Sequence, residues 1–96
     1  MAWRFVEQPN GLLARFSDIV DDFTHVHMTD DEVLELAFSE FNIGRDTCLE
    51  KIGNARREGK TRWDDEIHTV RVIHGHLVAD ERIATMSIPA DRVNDE

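Results

Sequence analysis

Ninety-six residues make about one modest domain, and 41% apolar with 32% charged residues lies in the range of chains that bury a core and outside that of disordered ones. The formal charge of −9, from 20 Asp and Glu against 11 Lys and Arg, opposes the phosphate attraction behind most nucleic-acid binding, so no direct DNA or RNA partner is expected. No apolar run approaches the roughly 20 residues of a membrane-spanning helix, the lone Cys48 cannot close an internal disulfide, and no charged-then-apolar leader opens the chain; a cytoplasmic setting is expected.

Residues 3–8 alternate loosely, Pro9-Asn10-Gly11 supplies a turn, and an apolar-rich run resumes over residues 12–16, which predicts an antiparallel hairpin. A third strand over residues 23–28, reached through the acidic turn at Asp21-Asp22, extends it to a three-strand meander. Thr29-Asp30-Asp31-Glu32 then reads as a capping box, with acids that suit the positive end of a helix dipole. Val33, Leu34, Ala37, Phe38 and Phe41 form one stripe at helical spacing, and Asn42-Ile43-Gly44 stops the helix.

A second helix is predicted over residues 46–58, with Cys48, Leu49, Ile52 and Ala55 inward, Arg56, Arg57 and Lys60 near its negative end, and Gly59 as terminator. Gly53 weakens its middle, so neighbours must hold it. Two periods fit residues 63–88. The β-branched Thr69, Val70, Val72 and Ile73 favour a strand that turns at Gly75 into a partner over residues 83–88. Asp64-Asp65-Glu66 equally suits a helix start, with Ile67, Val70, His74 and Leu77 at helical spacing and Gly75 as C-cap. The expectation is a single α+β domain over residues 1–88: hairpin or meander, two helices, and a C-terminal segment returning to the sheet. Residues 89–96 read as an acidic flexible tail.

The histidines carry the most suggestive chemistry. His25 and His27, and His74 and His76, form two H-x-H pairs, with His68 six residues before the second. On strands each pair shares a face, and two pairs meeting across a sheet could give zinc or nickel its nitrogen ligands. The adjacent acids Asp21-Asp22, Asp30-Asp31 and Asp64-Asp65 could serve acid–base work, yet neighbours point apart and caps and turns want acids anyway. Cys48, Ser17, Ser39 and Ser87 lie in no nucleophile motif, and Gly44, Gly53 and Gly59 form no phosphate-cradling loop. No enzyme is expected. Charge is uneven: residues 45–62 hold six basic and three acidic residues, leaving five basic against seventeen acidic elsewhere. Trp3 and Trp63 suit a core, and Trp63, if exposed, an interface anchor beside that basic island.

Trp3-Arg4-Phe5-Val6-Glu7-Gln8-Pro9-Asn10-Gly11, Ala14-Arg15-Phe16-Ser17, Val20-Asp21-Asp22-Phe23-Thr24 and Met28-Thr29 together resemble a group of small bacteriophage and prophage proteins. The likeness covers about the first 45 residues, with an echo at Trp63-Asp64-Asp65 and Ile73-His74-Gly75, and leaves the histidine pairs outside it. It implies a phage-type setting in a host cytoplasm and no catalytic residue. The expected function is that of a non-catalytic accessory protein, without cofactor, that binds and inhibits a host protein with a basic surface, imitating nucleic acid. Asp18, Asp21, Asp22, Asp30, Asp31 and Glu35 would steer that partner, with Trp63 as anchor. Two alternatives stand beside it: a small-ligand or metal-binding protein using His25, His27, His74 and His76, and an oligomeric structural component of a phage assembly.

Overall fold

The structure, a computed structural model, describes residues 2–93; residues 94–96, the end of the expected tail, lie outside the described residues. Strands β1 (Trp3–Glu7), β2 (Leu13–Ser17) and β3 (Asp22–Met28) form an antiparallel meander in the order β1-β2-β3. Helices α1 (Asp30–Phe41), α2 (Arg45–His74) and α3 (His76–Met86) follow, then a single 3-10 turn at Ala90–Arg92. The α+β class and the meander are those the sequence predicts. No helix among the described residues is long and apolar enough to cross a membrane.

Strands β1 and β2 are covered on both faces, which explains their loose alternation, while β3 is exposed over residues 24–26. Phe5, Leu13 and Met28 on one face join Val33, Ala37, Cys48, Ile52 and Ala55 from α1 and the first half of α2. Val6, Ala14 and Phe16 on the other join Trp63, Ile67, Val70, Ala79 and Met86 from the second half of α2 and α3. Successive residues of a strand point to opposite faces, so β2 needs apolar or small side chains on both.

Gly59 lets one helix serve two layers. A straight helix of 30 residues would run about 45 Å, longer than the 36 Å maximum extent of the molecule. At Gly59 the backbone takes φ +47° and ψ −126°, values that glycine reaches without a Cβ penalty, and α2 bends around the free edge of β1. Arg56 fixes the bend: it donates to Glu7 at 2.6 Å and to the Gly11 carbonyl at 3.0 Å, and pairs with Asp30. Gly59 thus ends the first helical run where the sequence expects it to, and a second run continues directly from it.

Residues 63–88 follow the helical of the two readings, and the C-terminal segment returns to the sheet as helix instead of strand. The stripe Trp63, Glu66, Ile67 and Val70 covers a sheet face that would otherwise meet water, and that burial outweighs the β-propensity of Val72 and Ile73. Gly75, at φ +96°, separates α2 from α3. Asn10 anchors the far end by donating to the Ile88 carbonyl at 2.8 Å.

Candidate functional site

Helix α1 begins where the capping box places it: Thr29 Oγ1 accepts from the Glu32 amide at 3.2 Å, and Glu32 Oε1 accepts from the Thr29 amide at 3.1 Å. It ends at Asn42 in the left-handed region. Val33 and Ala37 face the core and Phe41 stacks on Trp3 at 4.7 Å between ring centroids. At 100° per residue, Asp31, Glu35, Phe38 and Asn42 lie within about 60° of one another on the opposite side. Phe38, expected inward, is 70% exposed. The apolar arc of α1 is wider than the contact the sheet offers, and Phe38 falls at its margin. The helix carries five acids and no basic residue. Asp31 and Glu35, one turn apart, repel by about 0.2–0.5 kcal/mol, and Glu40 stands at the helix end where the dipole disfavours an anion.

The structure divides the other predicted acids into two sets. Asp18 pairs with Arg4 at 2.6 Å, Asp22 with Arg82 at 2.9 Å, and Asp30 with Arg56, so these three are committed to the fold. Asp31 and Glu35 make no ion pair among the described residues. Asp21 sits on the turn between β2 and β3 with φ +53°. Trp63 is a core residue, 6% exposed, its ring 5.5 Å from that of Phe23, and anchors no surface.

Much of the basic island is likewise engaged within the chain. Lys60 pairs with Asp64, Arg62 with Glu58 and Glu66, and Arg57 donates to Asn54, while Lys51 lies 5.5 Å above the Trp3 ring. Glu66 is the buried member, held by Arg4 at 2.8 Å and Arg62 at 3.6 Å. Burial pushes its carboxyl above the ordinary range despite those two guanidiniums, whose attraction opposes the shift.

The histidine pairs do not converge. Two extra residues on β3 break its register with β2, and His27 takes φ +59°, so His25 and His27 do not share a face as an ideal strand would set them. The Gln8 amide donates to His27 Nδ1 at 3.0 Å while its oxygen accepts from the His27 amide at 2.7 Å, which occupies one ring nitrogen. His74 and His76 belong to different helices, and His74 Nε2 donates to the Val20 carbonyl at 3.0 Å. Among the described residues no three His, Cys, Asp or Glu side chains gather to hold a metal ion.

Two grooves flank the kink. One, of about 270 Å³, lies between β1 and α2 over Trp3 and Arg4, with Lys51, Asn54, Glu58 and Arg62 opposite. The other, of about 370 Å³, is bounded by Gln8, Pro9, Lys60, Trp63 and Asp64. Neither lining contains a Ser, Cys or His; in the first, Arg62 pairs with Glu58, and Arg4 pairs with Asp18 and Glu66 outside the lining. The solvent face of α1 is thus the strongest uncompensated feature. Comparison of the chain with protein-family models, with curated proteins and with solved structures finds no match.

Proposed function

We propose that the protein acts by binding and not by catalysis, docking the outer face of α1 onto the basic surface of another protein. One observation carries this reading: α1 holds five acids without a base and sets Phe38, 70% exposed, on the same face as Asp31 and Glu35. Asp30 and Glu32 serve the fold through Arg56 and the capping box, but folding gains nothing from Asp31, Glu35 and Phe38, since these two acids repel and the ring stays in water. A partner bearing Lys or Arg around an apolar recess would relieve both, with Phe38 as the anchor and the carboxylates as its polar rim. In the phage-type setting that the N-terminal resemblance implies, the partner is a host protein whose basic surface normally meets nucleic acid, and the acidic stripe takes the place of phosphates. The committed acids Asp18, Asp22 and Asp30 contribute through the field of the whole body, not by contact.

A photo-crosslinker placed at position 39, on the rim of this face, tests the proposal in host lysate at low and high salt. A defined protein with a basic surface should be captured at low salt, less so as salt rises. Phe38→Ala and the double variant Asp31→Lys with Glu35→Lys should lose it. Their folds should be intact, because these exposed side chains cost less than about 0.5 kcal/mol to replace. Equal capture by the charge-reversed protein, or capture indifferent to salt, would refute the assignment.

A further inference from the structure

A second surface is unexplained by that reading and has the opposite chemistry. Ile19 and Val20 on the turn between β2 and β3, Val72 and Ile73 at the end of α2, and Leu77 at the start of α3 are each half or more exposed; Ile19 reaches 80% and Leu77 76%. The segments that carry them meet at one corner, because two links staple the turn to the helices. His74 Nε2 donates to the Val20 carbonyl at 3.0 Å, and Arg82 grips Asp22 through Nε at 3.1 Å and Nη2 at 2.9 Å. The patch is therefore held in shape before anything binds. Five such side chains amount to roughly 500 Å², near the upper end of what a monomer exposes in one place.

We propose that this corner is the interface of a two-fold dimer of this chain, formed by Ile19, Val20, Val72, Ile73 and Leu77 against the same residues of a second copy. Charge selects the occupant. In a two-fold contact each patch meets itself, so two bodies of charge −9 can join only where acid is scarce. Residues 67–79 contain no Asp or Glu. The acids bordering the corner are neutralised from within, Asp18 by Arg4, Asp22 by Arg82 and Asp80 by Arg71. Asp21 is the exception, and His74 bonds the carbonyl of the residue before it. Two copies of α1 would instead set five acids against five. The apolar area also covers more than half of the roughly 800 Å² that each partner buries in a stable interface.

Sedimentation equilibrium of the full chain from about 1 μM to about 1 mM reads the dimer directly. The mass should rise toward twice the monomer, and raising NaCl from about 50 mM to about 500 mM should leave the dimer unchanged or tighten it, because the net charges repel. Leu77→Glu should weaken the dimer by about a hundredfold, the scale of one central interface residue. Ile19→Glu, on the turn, should repeat this without touching a helix. Phe38→Glu should dimerise as the unaltered chain does. A monomer at every concentration, a Leu77→Glu or Ile19→Glu protein that dimerises normally, or a dimer that salt dissociates would overturn the proposal. The partner-binding reading survives any of these, since loss of capture tracks Phe38 and rising salt, whereas dimerisation tracks Leu77.

Discussion

Two glycines of α2 offer the sharpest test of how its kink arises, because the same substitution should act with opposite sign at each. A Cβ added at Gly59 would meet only Glu7 Oε1 at 3.8 Å, an ordinary contact, so Gly59→Ala introduces no clash. Its cost is the backbone alone: φ +47° with ψ −126° is a conformation that residues with a side chain rarely adopt. Holding alanine there should cost about 1–3 kcal/mol, which for a domain of this size lowers Tm by roughly 8–16 °C at the midpoint of that range. Gly53 lies in ordinary helix with nothing within 4 Å of the added atom. Gly53→Ala should therefore stabilise by about 0.5–1 kcal/mol through helix propensity. Urea and thermal unfolding of both variants give the two signs. If Gly59→Ala instead straightens the helix, one half of α2 leaves its sheet face, and the urea m-value falls because less surface remains to be exposed on unfolding. A Gly59→Ala protein as stable as Gly53→Ala, with an unchanged m-value, would refute the view that this backbone conformation fixes the kink.

The Asp22–Arg82 clamp, which joins β3 to α3, should matter for stability and for its pH dependence. Burial pushes the Asp22 carboxyl upward, but the two bonds from Arg82 and the Phe23 amide at 2.7 Å outweigh it and hold the group below its ordinary value. A depressed value means that the ionised carboxylate stabilises the fold above the unfolded-state value, and that this contribution disappears as pH falls through the folded-state one. Asp22→Asn should then cost about 1–2 kcal/mol at neutral pH, shrinking in acid; a pH-independent difference in urea unfolding would contradict it. Cys48 is fully buried, its thiol lies 3.8 Å from the Val33 carbonyl, and burial pushes it up against the smaller pull of Lys51. A disulfide reagent should label it only as the protein opens, with a rate that climbs with denaturant; immediate labelling of the native protein would show the core to be accessible there.

Much of the local structure was legible because it depends on neighbours in the chain. The turn at Pro9-Asn10-Gly11, the capping box at Thr29 and Glu32, and the inward faces of Val33, Ala37, Cys48, Ile52 and Ala55 all follow from spacing and side-chain chemistry. The acidic stretch of α1 was equally visible as a string of letters. Which acids face a partner was not, because the answer lies with Arg4, Arg56 and Arg82, residues 14 to 60 positions away from the carboxylates they neutralise.

The same distinction governs the longer-range features. The chain's own order of residues fixed a meander followed by helices, since strand alternation, turn chemistry and helix capping act over four residues or so. Tertiary packing decided that residues 63–88 are helical, that a second helical run follows Gly59 at once, and that Phe38 and Leu77 stay in water while Trp63 does not. Each of those outcomes depends on how much sheet surface remains to be covered once the other elements have docked, and that area is a property of the assembled body, which no local pattern of residues encodes.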